Sequence, residues 1–179
     1  MKRTNKMAIR YNNANSKTKK LNKYLTDKRR KVYSFDLPAG RTCPSAHLCK
    51  ARAVLDATTG KRTVKDGPAT VFRCFAASDE ARFEGTFNVR KDNFETLLNA
   101  WKANDASSMA DLLHEALPLD AGIVRIHVSG DFFSSEYFTA WVEVARRNPE
   151  VVFYAYTKEL QYLLPTNANV YYGTKGKPN

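Results

Sequence analysis

The sequence predicts an α/β fold, and three consecutive segments of its C-terminal third indicate it. Residues 122–131, GIVRIHVSGD, have the pattern of a β-strand, and residues 134–149, SSEYFTAWVEVARRNP, that of a capped amphipathic helix. Residues 150–158, EVVFYAYTK, have the pattern of a second strand. Because the link from helix to strand is short, the two strands should be parallel. We therefore expect a βαβ unit at residues 123–157.

The sheet around this unit is expected to be incomplete as a barrel. A third strand is predicted at residues 167–175, NANVYYGTK. A closed (β/α)₈ barrel typically needs about 250 residues, whereas this chain has 179. The sequence thus leaves two architectures open, a partial (β/α) barrel or an open parallel sheet.

Four further elements are predicted upstream. Residues 31–40, KVYSFDLPAG, should form a strand closed by a Pro–Gly turn, and residues 47–57, HLCKARAVLDA, a short helix. Residues 91–101, KDNFETLLNAW, have the form of a capping box with Asp92 at the N-cap of a helix. Residues 107–117, SSMADLLHEAL, repeat the amphipathic pattern in another helix.

The charge is concentrated at the N-terminus. Residues 1–31 hold 12 Lys and Arg against the single acid Asp27, which accounts for the whole formal net charge of +11. We therefore divide the chain into a basic arm, residues 1–31, and a single α/β domain, residues 32–179. Such an arm attracts nucleic acid through its phosphates without reading sequence, and the alternative is a solubilising tail. The cations singled out for this role are Lys17, Lys19, Lys20, Lys28, Arg29, Arg30 and Lys31.

Part of this arm is expected to pack, because Tyr11, Leu21 and Tyr24 interrupt its charge. No apolar run is long enough to span a membrane, and the N-terminus lacks the apolar region of a secretory signal. The three cysteines form an odd number, so a disulfide framework is not expected. These features together predict a cytoplasmic protein with reduced thiols and no membrane partner.

A polar row on the first C-terminal strand predicts a binding site. Strand alternation places Val124, Ile126 and Val128 on the face that meets the helices, and Arg125, His127 and Ser129 on the other. A polar row is unusual for a buried parallel strand. Ligands of α/β folds bind at the carboxyl edge of the sheet, where the ends of the three predicted strands would bring Asp131, Lys158 and Thr174 together. In the alternative interpretation, Asp131 caps the following helix and Arg125 pairs with a buried acid.

The cysteines, Cys43, Cys49 and Cys74, allow three interpretations. Three thiolates without a fourth protein ligand suit a [4Fe–4S] cluster with one open iron. Zinc is the second choice, with His47 as the fourth ligand of a Cys₃His site. In the third interpretation the cysteines are small buried residues that bind no metal.

Three blocks carry a resemblance to a known family: SFDLPAGRTCPSAHLCKA, FRCFAASDEAR and VRIHVSGDFFSSEYFTAWVEVARRNPEVVFYAYTK. In these the chain resembles the gene product 88 family of phages and plasmids, from about residue 8 to the end. The resemblance implies a phage or prophage origin, and hence the cytoplasm of an infected or lysogenic host cell, but no established activity. Family members are longer, so the chain resembles a short form.

A weaker resemblance links the cysteines with the strand that ends in Ser129, Gly130 and Asp131. This arrangement is similar to radical S-adenosylmethionine enzymes, although their C-x₃-C-x₂-C spacing is replaced here by C-x₅-C and a distant third cysteine. The resemblance implies that Cys43, Cys49 and Cys74 bind the iron–sulfur cluster and that residues 129–131 face S-adenosylmethionine.

The leading hypothesis is a phage-type α/β protein that binds an iron–sulfur cluster, with a candidate S-adenosylmethionine site formed by Ser129, Gly130, Asp131, His127, Arg125 and Lys158. The alternative is a basic nucleic-acid-binding protein whose cysteines are structural or bind zinc.

Overall fold

The computed structural model describes residues 9–103 and 105–163, and the sheet at its centre has four strands in the order β1-β2-β5-β6. These strands are β1 (Asn12–Asn13), β2 (Lys31–Phe35), β5 (Ala121–Ile126) and β6 (Val152–Ala155). β2, β5 and β6 are parallel, and β1 pairs antiparallel with β2 at one edge. The predicted α/β class is confirmed: within the described residues the sheet is open, with three parallel strands, and is not a closed barrel. The third strand predicted at residues 167–175 lies outside these residues.

The predicted βαβ unit is present. β5 is followed by helix α4 (Ser135–Arg147) and then by β6, and Ile123 of β5 is in register with Val152 of β6. Ser134 is the N-cap of α4, since its hydroxyl accepts a hydrogen bond from the Tyr137 amide. The strand and helix periodicities and the Ser134 cap, all within this segment, are therefore sufficient to predict the unit.

One face of the sheet is covered by three helices: α2 (Glu84–Lys102), α3 (Ala106–Glu115) and α4. Their apolar stripes enclose a core that includes Phe35, Leu97, Leu113, Ile126 and Trp141. The capping-box prediction at Asp92 is wrong, because α2 begins eight residues earlier and runs through Asp92, whose carboxylate pairs with Arg10. None of the described helices is both long and apolar enough to cross a membrane.

A smaller layer consists of the hairpin β3 (Arg52–Leu55) and β4 (Arg62–Lys65) against helix α1 (Phe75–Arg82). The helix predicted at residues 47–57 is wrong, since Arg52–Leu55 is a strand. The physical reason is the turn that follows it: the Asp56 carboxylate accepts the amides of Thr58 and Thr59, and Gly60 has a φ of +65°. This turn reverses the chain and pairs Leu55 with Arg62.

The described part of the basic arm is integrated into the fold. It contributes β1 and a 3-10 helix (Thr18–Tyr24), and it buries Ile9 and Leu25. Tyr11 and Leu21 pack as expected, whereas Tyr24 is mostly exposed. The boundary at residue 31 therefore coincides with no break in the structure.

Candidate functional site

A cavity of about 180 Å³ lies beyond the carboxyl ends of β5 and β6. All three cysteines, Cys43, Cys49 and Cys74, line it, together with the Ser129–Gly130–Asp131 turn. Lys158, predicted at this rim, and Arg125, predicted deeper inside the site, line it as well. The structure thus brings together, around one small cavity, residues that are up to 115 positions apart in the chain.

The loop that carries Cys43 is fixed by contacts with the turn after β5. The Leu37 amide donates to the Ser129 carbonyl at 3.0 Å, and the Asp131 amide donates to the Thr42 carbonyl at 3.0 Å. Gly130 permits this close approach: its φ is +82°, and a Cβ atom there would lie 2.6 Å from the Thr42 hydroxyl oxygen. Gly130 therefore allows the loop that carries Cys43 to pack closely against the turn after β5.

The cysteines lie in a cluster of alanines. Cys49 is buried, Cys43 and Cys74 are half-buried, and all three are free thiols. Burial raises the pKa of Cys43 to about 12, although a backbone hydrogen bond from Gly40 and the charge of Lys158 act in the opposite direction. An environment of small apolar residues is also what a core cysteine prefers, so the packing alone is compatible with the structural interpretation.

The three thiols share the wall of the cavity without converging on a point. Among the residues described, no three His, Cys, Asp or Glu side chains are gathered tightly enough to hold a metal ion. His47, the predicted fourth ligand for zinc, is exposed and is not part of the cavity wall. Zinc ligation by His47 would therefore require a rearrangement of residues 43–49.

His127 does not occupy the predicted face of the sheet. β5 ends at Ile126, and His127 has a φ of +67°, which breaks the strand alternation. Its ring is buried beneath α4, where Nε2 lies 2.9 Å from the Tyr137 hydroxyl and the ring contacts Phe132. The prediction that His127 lies opposite the helix is wrong. Burial also lowers its pKa to about 3, so the imidazole is neutral.

The rest of the face assignment agrees with the structure where β5 is regular. Ile126 packs in the core with Trp141 and Val144, while Arg125 lies on the opposite face, with its guanidinium 5.3 Å from the centre of the Tyr156 ring. Within the described chain Arg125 has no acidic partner, and its buried Nε atom has no hydrogen-bond partner. The alternative in which Arg125 pairs with a buried acid is therefore not what the described residues show.

Asp131 joins the ends of two strands. Its carboxylate accepts hydrogen bonds from the Thr157 hydroxyl at 2.5 Å, the Lys158 amide at 3.0 Å and the Phe132 amide at 2.9 Å. Burial raises the pKa of this carboxyl, and the hydrogen bonds oppose the shift. Asp131 is not the helix cap, since Ser134 has that role. Thr174, predicted at the same rim, lies outside the described residues.

Sequence reasoning missed three buried acids that hold this region together. Asp36 accepts the amides of Val128 and Ser129 at 2.7 and 3.2 Å. Glu80 accepts the Ser129 hydroxyl at 3.1 Å, and Glu159 accepts both the amide and the hydroxyl of Ser45. Only Asp36 had a local signal, because it directly follows a strand and precedes a turn.

The basic arm has two kinds of cation. Of the seven cations singled out above, four are held by the protein: Lys28 donates to the Leu25 carbonyl, Arg29 pairs with Asp27, Arg30 donates to the Ala121 carbonyl, and Lys31 pairs with Asp120. By contrast, Lys17, Lys19 and Lys20 are exposed, and no side-chain partner for them is found in the described chain. Of these seven cations, the second group is therefore the one open to an external anion.

Comparison with known proteins adds family relationships. A family model described as Gene product 88 matches residues 2–178. The chain is 32% identical over 90 residues to the Gene 88 protein of Mycobacterium phage L5, and 33% identical over 90 residues to that of Mycobacterium phage D29. Each match covers 48% of this chain and 38% of the relative, so the chain matches well under half of their length. No solved structure matches.

Proposed function

The chain belongs to the gene product 88 family, and we propose that it binds an iron–sulfur cluster through Cys43, Cys49 and Cys74 in the cytoplasm of a phage-infected or lysogenic host cell. One observation carries the proposal: the only three cysteines of the chain line the same small cavity at the carboxyl edge of the sheet. This edge is where α/β folds bind their ligands.

The charges around the cavity favour this ligand. An iron–sulfur cluster ligated by thiolates carries net negative charge, and its stability depends on nearby charges and on hydrogen bonds to sulfur. The cavity wall supplies the cations Arg125, Lys158 and Lys50, and the Gly40 backbone donates to the Cys43 sulfur. The wall therefore has the charge that a bound anionic cluster requires.

Binding has two costs that the structure makes visible. The raised pKa of Cys43 means that ligation must displace a proton from a neutral thiol. The thiols must also approach one another, since metal–sulfur bonds are about 2.3 Å long. The segment between Cys43 and Cys49 lies in irregular turns, so it is the part of the wall that can adjust.

The groups predicted to bind S-adenosylmethionine already form contacts within the protein. Ser129 donates to Glu80, and the Asp131 carboxylate has three donors from the protein. Gly130 packs against Leu37 and Thr42. The cofactor-binding role of this turn stays a prediction, and S-adenosylmethionine binding by the cluster-loaded protein is its direct test.

Metal and sulfide analysis of anaerobically purified protein tests the cluster. We expect iron and acid-labile sulfide in the wild type, and their loss in each of the variants Cys43→Ala, Cys49→Ala and Cys74→Ala, because ligation by two thiolates is weak. Ser78→Ala, an exposed substitution on the helix that Cys74 begins, is the matched control and should keep both. Stoichiometric zinc without sulfide would favour the zinc alternative. The absence of both iron and zinc would refute metal binding.

A second candidate function, nucleic-acid binding, rests on Lys17, Lys19 and Lys20, exposed arm lysines with no side-chain partner in the described chain. Replacing Lys17, Lys19 and Lys20 with Gln should weaken retention and flatten its salt dependence, because each lost phosphate contact reduces the slope by about 0.9 for duplex DNA. The matched control replaces Lys28, Arg29 and Lys31 with Gln, which removes the same charge from cations that the protein already holds. Equal effects of the two triple variants would show that net charge alone, and not a defined surface, attracts nucleic acid.

A further inference from the structure

Three cations line the cysteine cavity without a counterion among the described residues. Arg125, Lys158 and Lys50 all line the cavity, and none forms an ion pair with any residue that the structure describes. Lys50 also has a φ of +45°, an unusual backbone conformation for a residue with a side chain. The one carboxylate among the described residues of the wall, that of Asp131, is already occupied by three donors. The cavity therefore presents an excess of positive charge.

Two aromatic side chains stand exposed at the same cavity. Tyr156 is 72% exposed and Phe72 is 54% exposed, and both belong to the cavity wall. The Tyr156 ring is covered on one side by the Arg125 guanidinium, an arrangement that holds the ring in place and combines a cation with a flat apolar surface. Exposed aromatic rings beside unpaired cations are the combination that binds the bases and phosphates of single-stranded nucleic acid.

We propose that the cysteine cavity binds a nucleotide, with its base stacked on Tyr156 and its phosphate held by Arg125, Lys158 and Lys50. This inference rests on the proposed role of the cavity as the functional site and names the chemical class of its ligand. The nucleotide could be free or one unit of a single strand, and both share the phosphate and the base that the wall complements. A cavity of about 180 Å³ encloses only part of a nucleotide, so the rest lies at the exposed rings.

The test is binding of a fluorescently labelled single-stranded oligothymidylate by the full chain, followed by anisotropy at low salt. We expect Tyr156→Ala and Arg125→Gln each to weaken binding about tenfold, the size of effect that loss of one base–aromatic contact produces. Tyr156→Phe keeps the ring and should bind like the wild type. Competition with thymidine monophosphate and with inorganic phosphate then identifies the source of the ligand.

Two matched controls separate this site from general surface charge. Arg82 lies over the exposed Phe83 ring at 5.1 Å, which reproduces the Arg–aromatic contact away from the cysteine cavity. Phe83 is itself 49% exposed, so its loss is the control for the loss of an exposed ring. Arg82→Gln and Phe83→Ala should change affinity less than about twofold. The inference is overturned if they weaken binding as much as the cavity variants, if the wild type does not bind, or if inorganic phosphate displaces the strand at the same concentration as thymidine monophosphate does.

Metal analysis of the same variants distinguishes this inference from the cluster proposal. Tyr156→Ala and Arg125→Gln replace no thiol and should retain iron, whereas the cysteine variants lose it. A wild type that lacks iron but binds the strand through Tyr156 would refute the cluster and support the nucleotide site. A wild type that contains iron, and whose strand binding is unchanged by Tyr156→Ala and Arg125→Gln, would support the cluster and refute the nucleotide site. Competition by thymidine monophosphate supports a free nucleotide, and competition by oligothymidylate alone supports a strand.

Discussion

The Nε2 atom of His127 lies 2.9 Å from the hydroxyl oxygen of Tyr137, in the interior between the end of β5 and helix α4. The His127 side chain is buried, and its other ring nitrogen, Nδ1, has no hydrogen-bond partner among the described residues. A protonated imidazole would place an unpaired charge in this interior. The contact therefore ties the stability of the protein to pH.

The first prediction concerns acid stability. The pKa of His127 is about 3 in the folded protein, below the ordinary value of 6.5, so its contribution to stability is complete above pH 6.5 and is lost as pH falls towards 3. The free energy of unfolding should decrease by up to about 1.4 kcal/mol per pH unit in this window. His127→Asn lacks the titrating group, and Asn tolerates a positive φ. Urea unfolding at several pH values should show a shallower dependence for the variant, and parallel curves would contradict the prediction.

The second prediction concerns the contact between Gly130 and the cysteine loop. Gly130→Ala combines a left-handed residue, which costs about 1–2 kcal/mol, with a methyl group placed 2.6 Å from the Thr42 hydroxyl and 2.7 Å from the Leu37 Cβ. Overpacking adds about 1–3 kcal/mol. Gly60→Ala is the matched control, because Gly60 also has a positive φ but open space around it. Equal losses in the free energy of unfolding for Gly130→Ala and Gly60→Ala would show that glycine is needed at position 130 only for its positive φ.

The third prediction concerns the link between Ser45 and Glu159. The buried Glu159 carboxylate accepts the Ser45 amide at 2.8 Å and its hydroxyl at 2.7 Å, which fixes the segment between Cys43 and Cys49. Ser45→Ala removes one hydrogen bond to a charged group and should cost about 1.5–3 kcal/mol. It should also speed alkylation of Cys49 by N-ethylmaleimide. The exposed Ser16→Ala is the control, and unchanged Cys49 reactivity in Ser45→Ala would show that this link does not hold the loop.

The sequence predicted those parts of the fold whose pattern is local. The β5–α4–β6 unit follows from strand alternation, a 3.6-residue helical period and the Ser134 cap, all of which lie within one segment. The hairpin β3–β4 escaped prediction because its short strands have no clear alternation and its turn depends on Asp56 and Gly60. His127 escaped it because a single positive φ reverses the side-chain direction that alternation implies.

The candidate site could be predicted only as a set of residue types. The cysteines and the Ser129–Gly130–Asp131 turn are visible in the sequence, and the strand ends indicate that they could meet. The roles of the buried acids Glu80 and Glu159 cannot be predicted in this way. Glu159 and its partner Ser45, for example, are separated by 114 positions, and no local pattern connects them. The arm shows the same limit, since burial of Ile9 and pairing of β1 depend on strands far along the chain. Deletion of residues 1–31 is therefore a poor test of charge, and substitution of exposed lysines is a better one.

The fourth prediction concerns the buried pair of Glu80 and Arg90. Their side chains are almost fully buried and 2.9 Å apart, and the same Glu80 oxygen also accepts the Ala39 amide at the start of the cysteine loop. Glu80→Gln leaves the Arg90 charge without its partner and should lower the free energy of unfolding by about 3–5 kcal/mol. Glu95→Gln breaks the exposed pair with Lys91, 3.8 Å apart, and should cost less than about 1 kcal/mol.

A double-mutant cycle shows whether the Glu80 effect comes from the unpaired charge or from the loop. If the stranded guanidinium dominates, Glu80→Gln combined with Arg90→Met should be more stable than Glu80→Gln alone, because no charge is then left buried. If the contact with Ala39 dominates, the double variant should be at least as unstable as the single one. We expect the first outcome for stability, measured by urea unfolding. Cys43 alkylation should be faster in both variants, because the neutral amide of Gln accepts the Ala39 amide less strongly than a carboxylate does. Additive losses from the two substitutions would contradict the idea that Glu80 and Arg90 act as a pair.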